Sequence, residues 1–288
     1  MQTFRKRIRE NPLLGSLIIL VLCFACNELV PNVGYLLPDN TAGDYMYEVI
    51  CMLWPIGLVY VCGYMDIFSK RGLRRTFMAG LPLFLVYGGY LTTSIWKAVF
   101  DPKMPLLPAE QIILSIITLI GIGIREEANY RGIIVNLYEG KHFNSHKGLL
   151  YTAISSSFFF GAIHFGNLLA GVRLESTLVQ VLVAWAMGMV NCAIYLRGGS
   201  IWGMMILHAM IDGSSLFDGF FYQSAAVAAE AASSGAIESI NSLGLLNLIP
   251  IVWCIPLALF LLRKKKTQEI IARRQTENAA QMNTTAEE

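Results

Sequence analysis

The sequence predicts an all-α membrane protein, a polytopic bundle of about eight transmembrane helices with both termini in the cytoplasm. Only 15% of the residues are charged, whereas soluble domains carry about a quarter. The mean hydropathy, +0.53, is correspondingly high. Long apolar runs recur along the chain, and the loops between them alternate between basic and nearly free of basic residues. These observations exclude an ordinary soluble domain and predict one helical bundle in a lipid bilayer.

Each predicted transmembrane helix is a run of about 20 mostly apolar residues, the length that crosses a hydrocarbon core. The runs cover residues 13–33, 46–67, 76–96, 109–138, 149–170, 176–196, 201–221 and 243–262. The fourth run is longer than one crossing and contains several charged residues. We expect residues 1–262 to form the membrane domain. Residues 263–288 are expected to form a basic and polar cytoplasmic tail, a frayed or interfacial helix that then becomes disordered.

The loops predict the orientation, because Lys and Arg concentrate on the cytoplasmic side of membrane proteins. The N-terminal "RKRIRE", the loop "SKRGLRR" and the C-terminal "RKKKTQEIIARRQ" fall on one side of this layout. The basic residues of the opposite loops are Lys97, Lys103 and Arg173 alone. Both ends are therefore expected on the cytoplasmic side. The compact length and the lack of organelle targeting signals favour a prokaryotic plasma membrane.

The stretch "GIGIREEANYRG" places charged residues within the fourth apolar run. Residues four apart share a helix face, so Glu127 and Arg131 are predicted to form an ion pair. Glu126 is turned about 100° away and is left for another partner. The charges either mark the interfacial end of a helix or form a site inside the membrane. The apolar "GIIVNLY" that follows favours the site, since ionisable groups within membranes are costly and usually functional.

Two histidines also lie in apolar helices. His164 follows Phe160 by one turn in "SSSFFFGAIHFGN", where a lone histidine is more often a packing residue than a catalytic one. His208 and Asp212 are four residues apart in "GMMILHAMIDG". The Asp side chain can orient the imidazole, join it in binding a metal, or form a polar clamp between helices. With Glu126 these residues form a set able to activate water, because a carboxylate away from water can act as a general base near neutral pH.

At these residues the sequence resembles the CPBP family, the CAAX-processing and bacteriocin-processing (Abi) intramembrane proteases, and its type II CAAX prenyl endopeptidases. "EEANYR" matches the EExxxR motif of the family, "FGAIH" matches FxxxH, and "HAMID" matches a third motif, Hxxx followed by Asn or Asp. Their order, their spacing and their placement on three helices agree with the family. The resemblance covers residues 109–221, which we take as the motif core of the membrane domain.

The resemblance implies an intramembrane endopeptidase that hydrolyses a peptide bond of a membrane-associated or lipidated, CAAX-like protein or peptide. Glu126 would be the general base that activates water, assisted by His164. His208 and Asp212 would stabilise the oxyanion of the tetrahedral intermediate. The residues that would hold the site in shape are Glu127, Arg131 and Phe160.

Asp212 departs from the pattern of the prenyl endopeptidases, which have Asn at this position. An Asn side chain donates a hydrogen bond to an oxyanion, and an ionised Asp does not. The family resemblance leaves two mechanisms open. We favour a glutamate mechanism without metal and without a certain cofactor. In the other mechanism, His164, His208 and Asp212 would bind zinc.

Two further functions fit parts of the sequence. A proton-coupled transporter also uses buried Glu, His and Arg, but it predicts broken helices and inverted repeats, which are not clearly visible. A non-catalytic membrane regulator or immunity protein would have lost a motif residue, and every matched position is filled. The expected partners are the lipid bilayer and a membrane-associated substrate, with no nucleic acid. His208 lies about 10 Å into its helix, which predicts substrate access from the cytoplasmic side.

Overall fold

The computed structural model describes residues 1–100, 105–223 and 245–287, and these residues are almost entirely helical. No β-strand occurs within these ranges, and Leu106 and Tyr222 form an isolated antiparallel bridge. The predicted all-α class is therefore confirmed. The segment from 224 to 244, which includes the start of the eighth apolar run, lies outside the described residues.

The helices follow the apolar runs of the sequence. In chain order they are α1 (Gln2–Glu10), α2 (Pro12–Gly34), α3 (Thr41–Cys62), α4 (Leu73–Phe100), α5 (Ala109–Glu127), α6 (Asn136–His142), α7 (His146–Ala162), α8 (Leu174–Gly198), α9 (Ile201–Ser215), α10 (Phe217–Phe221), α11 (Ile249–Leu261) and α12 (Lys264–Glu287). Short 3₁₀ segments are Met65–Phe68, Ile163–Leu168 and Leu245–Leu248. A π-helical segment, Ala128–Val135, joins α5 to α6, so that residues 109–142 form one long helix.

Five of these helices are long and apolar enough to cross a membrane, namely α2, α3, α4, α8 and α7 with its 3₁₀ extension. The bent pair of α11 and α12 makes six if it counts as one span. The long helix of residues 109–142 and the pair of α9 and α10 are not among these candidate membrane-spanning helices. The first contains the charged stretch at 125–131, and the second is divided into two shorter helices. The structure therefore supports a multi-pass membrane protein, while the number of eight crossings and their orientation stay predictions.

The centre of the bundle is α8, which packs against α4, α7 and α11. From Ala186 to Leu196 nearly every residue of α8 is buried, as expected for a helix that is apolar on all sides. Gly188 allows α7 to come close, because a Cβ atom there would lie 3.0 Å from the side chains of Phe160 and Ser157. Small residues at a helix interface permit such an approach. The contact places Phe160 next to the motif residues.

A second close approach joins α5 to α9. A Cβ atom on Gly123 would lie 2.8 Å from the backbone oxygen of Met205, so only glycine permits this spacing. Glu127 follows Gly123 by one turn, and His208 follows Met205 by about one turn. The two helices therefore bring the acidic motif of α5 and the histidine of α9 to the same level of the bundle.

The C-terminal helix α12 is docked onto the bundle rather than frayed over its first half. Thr267 and Ile270 are buried. The Arg273 guanidinium donates hydrogen bonds to the carbonyl oxygens of Leu196, at 2.8 Å, and of Arg197. These carbonyls belong to the last turn of α8, where helix carbonyls lack intrahelical donors. The arginine therefore caps α8 from outside.

Arg274 adds an ion pair between α12 and α6. Its Nε and Nη2 atoms lie 2.9 and 3.0 Å from the two carboxylate oxygens of Glu139, and the Glu139 side chain is 7% exposed. A two-point contact of this kind fixes orientation as well as distance. It connects the C-terminal helix to the end of the long helix.

Replacing Arg274 by Met should destabilise the protein, because the buried carboxylate of Glu139 then loses its partner. We expect the free energy of unfolding to fall by about 1–3 kcal/mol, measured by thermal unfolding in detergent. The matched control is the double variant Glu139→Gln/Arg274→Met, which removes the unpaired charge and should recover part of the loss. Equal destabilisation in both variants would show that the ion pair is not the cause.

Candidate active site

The structure brings Glu126, Glu127, His208 and Asp212 into contact, and His208 is the centre of the cluster. Its Nδ1 atom lies 2.7 Å from Oε1 of Glu127. Its Nε2 atom lies 3.2 Å from Oε2 of Glu126 and 3.5 Å from Oδ2 of Asp212. Both ring nitrogens thus face carboxylates, and only a protonated imidazole donates a hydrogen bond on both sides. The two glutamates are about 80 positions from His208 and Asp212 in the sequence. The packing of α5 against α9 brings the two pairs together.

The ion pair that the four-residue spacing predicts is present. Arg131 Nη1 donates to Glu127 Oε1 at 2.9 Å, and the two side chains are 2% and 0% exposed. Arg131 Nη2 also donates to the carbonyl oxygen of Gly188 at 3.3 Å. Buried charges need partners of this kind, since an unpaired ion away from water is strongly destabilising. Glu127 therefore connects Arg131 on its own helix to His208 on α9.

Phe160 forms an aromatic support for the cluster. The Arg131 guanidinium carbon lies 4.6 Å from the centre of its ring. The rings of Tyr130, His164 and His208 meet Phe160 edge to face, with ring centres 5.0, 5.9 and 6.1 Å away. Such edge-to-face and cation–π contacts favour fixed orientations. A single residue of α7 thus orients both motif histidines and the motif arginine.

His164 lies in the 3₁₀ segment after α7, and it does not touch the carboxylates. No hydrogen bond joins it to Glu126 within the described ranges; the two side chains instead line the same space. A water molecule between a carboxylate and an imidazole can bond to both groups. The arrangement therefore leaves room for a reactant between Glu126 and His164.

Two cavities meet at these two residues. The polar cavity has a volume of about 330 Å³. Its lining includes Asn27, Arg125, Glu126, Asn129, His164 and Asn167. The wide cavity has a volume of about 630 Å³. Its lining includes Glu126, His164, Gln180, His208, Asp212 and Pro250. Both volumes lie in the range of binding sites for small ligands.

The cavity walls come from the helix ends that lie far from both termini of the chain. Val30 is near the end of α2, Asn167 follows α7, Gln180 is near the start of α8 and Ser215 ends α9. The basic segments lie at the opposite end of the bundle, where Arg5 and α12 contact the other ends of α3 and α8. Access from the side of the termini, expected from the depth of one histidine, is therefore not supported. The depth of His208 in its helix describes the position of that residue alone. The two cavities extend from it towards the opposite end of the bundle.

The three candidate zinc ligands do not form a metal site. In the part of the chain that the structure describes, no three His, Cys, Asp or Glu side chains are placed to hold a metal ion. Carboxylates face both ring nitrogens of His208, and no ion pair joins His164 to Asp212 among the side chains that the structure describes. The described positions of these three side chains therefore do not fit a zinc ion.

Several polar side chains around the cluster were not assigned a role from the sequence. Asn129, Tyr130 and Asn191 are buried, and Asn129 Oδ1, the Tyr130 hydroxyl and Asn191 Oδ1 have no hydrogen-bond partner among the described residues. Their polarity within apolar runs could have marked them in the sequence. Buried polar groups are normally paired, so a polar residue in such a run is expected to have a partner or a ligand. Arg125 also lines the polar cavity, and no ion pair joins it to a side chain that the structure describes.

Comparison with known proteins found a family model that matches part of the chain. The family model described as type II CAAX prenyl endopeptidase Rce1-like matches residues 108–214. The matched segment contains the three motifs and the residues that contact His208. The resemblance to the CPBP family that the motifs indicate is therefore confirmed. No curated protein and no solved structure matches the chain.

Replacing Arg131 by Met should leave the carboxylate of Glu127 buried without its cation. We expect a loss of about 3–5 kcal/mol in the free energy of unfolding, and therefore a much lower folded yield after detergent extraction. The double variant Glu127→Gln/Arg131→Met keeps the volumes and removes the charge, so it should fold better than Arg131→Met. Normal yield and a normal melting temperature for Arg131→Met would contradict the structural role of the pair.

Proposed function

We propose, from the premise that residues 108–214 belong to the type II CAAX prenyl endopeptidase family, that this protein is an intramembrane endopeptidase. It hydrolyses a peptide bond of a membrane-associated or lipidated protein or peptide. The observation that carries the proposal is the position of Glu126, which contacts His208 and faces both cavities together with His164. A base beside a space for water and substrate is the minimum that peptide hydrolysis needs.

Glu126 acts as the general base in this mechanism. It takes a proton from a water molecule held between its carboxylate and the His164 imidazole, and the water oxygen attacks the carbonyl carbon of the scissile bond. The tetrahedral intermediate then collapses, the C–N bond breaks, and Glu126 returns the proton to the leaving nitrogen. General acid–base catalysis of this kind contributes about 10²–10⁴-fold to the rate.

His208 stabilises the oxyanion. In the resting site its Nε2 atom faces the carboxylate of Glu126. When Glu126 accepts a proton it loses its negative charge, and a negative charge develops on the substrate oxygen nearby. The Nε2–H group then donates to the oxyanion, while Glu127 holds the other ring nitrogen. The negative charge stays beside the same imidazole during the step, so little reorganisation is needed.

Asp212 orients His208 in this scheme rather than donating to the oxyanion. Its Oδ2 atom is 3.5 Å from Nε2, and it lines the wide cavity. An amide oxygen at this position offers Nε2 an acceptor in the same place, which accounts for the equivalence of Asn and Asp in the family motif. The departure from the prenyl endopeptidase pattern therefore does not remove a required donor.

We also propose eight crossings with both termini in the cytoplasm of a prokaryotic cell. The long helix and α9 with α10 count as crossings because their charges face one another inside the bundle, where pairing makes ionisable groups tolerable. Residues 1–262 then form the membrane domain, and α12 lies on its cytoplasmic side. In this orientation both cavities extend towards the outer half of the bilayer, so the substrate is a segment that reaches this half.

Glu126→Gln removes the general base and keeps the size of the side chain. We expect hydrolysis of a panel of membrane-anchored and CAAX-type peptides by the reconstituted protein to fall by about 10³-fold or more, with an unchanged melting temperature. A zinc chelator should leave the wild-type rate unchanged. Retained cleavage by the variant would contradict the role of Glu126, and chelator inhibition reversed by zinc would contradict the mechanism without metal.

Substitutions of Asp212 separate orientation from oxyanion binding. Asp212→Asn should keep kcat/KM within about tenfold of the wild type, because an amide oxygen can take the place of the carboxylate oxygen that lies 3.5 Å from Nε2 of His208. Asp212→Ala should lose about 10²-fold, since Nε2 of His208 then loses one of its two neighbouring carboxylates and keeps only Glu126. The measurement is kcat/KM on the peptide of the panel that is cleaved fastest. Equal losses for the two variants would show that the negative charge of Asp212 is itself required.

A further inference from the structure

Another cavity, called the basic cavity below, lies at the end of the bundle that carries both termini. It is enclosed by the start of α4, the end of α8 and the first half of α12, and its volume is about 630 Å³. Among the described residues, five cationic side chains and one carboxylate line it, namely Arg74, Arg75, Arg197, Lys266, Arg273 and Glu269. Cations held this close repel one another, so the cavity favours an anion.

Two of these cations have a structural task, since they cap the last turn of α8. Arg75 Nε donates to the carbonyl oxygen of Gly198 at 3.2 Å, and Arg273 Nη2 donates to that of Leu196 at 2.8 Å. Such carbonyls lack donors within their own helix. The carboxylate of Glu277 lies 3.4 Å from Arg75 Nη2 and 3.7 Å from Arg273 Nε. Contacts within the protein therefore account for these two arginines.

The same explanation does not cover Arg74 and Arg197. In the described parts of the chain, no hydrogen bond or ion pair joins the side chain of either arginine to another residue. The carboxylate of the basic cavity, Glu269, is already bonded to Lys266 at 2.7 Å. Two guanidinium groups thus line the cavity with donors that no described residue uses. The planar fork of such a group matches a phosphate.

An apolar stripe leads away from the basic cavity along α4. Met78 lines the cavity and is 64% exposed, and the exposed residues Leu81 and Leu85 follow it by three and seven positions. Residues at this spacing share one helix face. The stripe therefore continues for about 10 Å, at 1.5 Å per residue, on a helix that is long and apolar enough to cross a membrane.

A charged pocket that opens onto a lipid-facing stripe fits a phospholipid. The phosphate of the headgroup meets the arginines, and the acyl chains lie along the stripe, which a free phosphate does not need. A zwitterionic headgroup would bring its own cation into a cavity that already has five. An anionic headgroup avoids this repulsion. Basic pockets between transmembrane helices bind anionic headgroups in other membrane proteins.

We propose that the basic cavity binds the phosphate of an anionic glycerophospholipid, with Arg74 and Arg197 as the binding residues and the acyl chains along α4. The site lies at the opposite end of the bundle from Glu126, and the proposal goes beyond the proposed function because it does not depend on hydrolysis. A lipid in this position contacts α4, α8 and α12, so it adds to the contacts that dock the C-terminal helix.

The first test is thermal unfolding of the full wild-type chain in a nonionic detergent. The protein is titrated separately with phosphatidylglycerol, with phosphatidylcholine of the same acyl chains, and with inorganic phosphate. Phosphatidylglycerol at about a hundredfold excess over its Kd should raise Tm by about 5 °C, because it binds the folded state alone. No shift with phosphatidylglycerol, or an equal shift with either of the other two additions, would overturn the proposal.

The second test locates the site. Arg74→Gln/Arg197→Gln removes the two guanidinium groups that cap no helix, and Lys264→Gln/Lys265→Gln removes the same charge from exposed positions of α12 outside the cavity lining. The Kd of fluorescent phosphatidylglycerol should rise at least about tenfold in the arginine variant and stay within about twofold in the lysine variant.

Equal weakening in the two double variants would show a general attraction of the basic surface and would overturn the site. The single variant Arg74→Gln changes an exposed side chain and provides the same comparison if the double arginine variant does not fold. It should weaken phosphatidylglycerol in the same direction by a smaller factor. An unchanged Kd in Arg74→Gln would remove this arginine from the site and contradict the proposal.

Discussion

The carboxylate of Glu127 is the point on which the site depends. One of its oxygens accepts from Arg131 at 2.9 Å and faces His208 at 2.7 Å, although the side chain is completely buried. A charge in this position is tolerable only with both partners in place. Each partner is in turn held elsewhere, Arg131 by Gly188 on α8 and by the Phe160 ring on α7. One buried charge thus fixes the relative positions of four helices.

This arrangement leaves Glu126 available for chemistry. Glu127 takes the structural pairing, and its neighbour, turned to another face of the helix, contacts His208 from the side of the cavities. The same imidazole therefore connects a fully buried carboxylate to one that meets solvent or substrate. In the proposed mechanism, the negative charge that leaves Glu126 therefore moves only to an oxyanion beside the same imidazole.

The helices that carry the charged cluster are also the ones that depart from the usual transmembrane pattern. The long helix and the pair of α9 and α10 fail the simple requirement for length and apolarity, and they carry Glu126 and His208. The long helix changes to a π-helix directly after the acidic motif, over residues that are all buried. Such segments are common at functional sites, where an altered turn directs side chains inward. The apolar helices around them, α2, α3, α4, α8 and α7 with its 3₁₀ extension, meet that requirement.

The sequence by itself determined the all-α class, the positions of the helices, the pair Glu127–Arg131 and the shared face of His208 and Asp212. These features follow from local composition and from the 3.6-residue period of a helix, which a sequence displays directly. Only the tertiary structure decided that His208 meets Glu126, that His164 stands apart from it, and that the cavities extend away from the termini. Those relations depend on how closely helices approach at glycines such as Gly123, and an approach between distant segments leaves no periodic trace in the sequence.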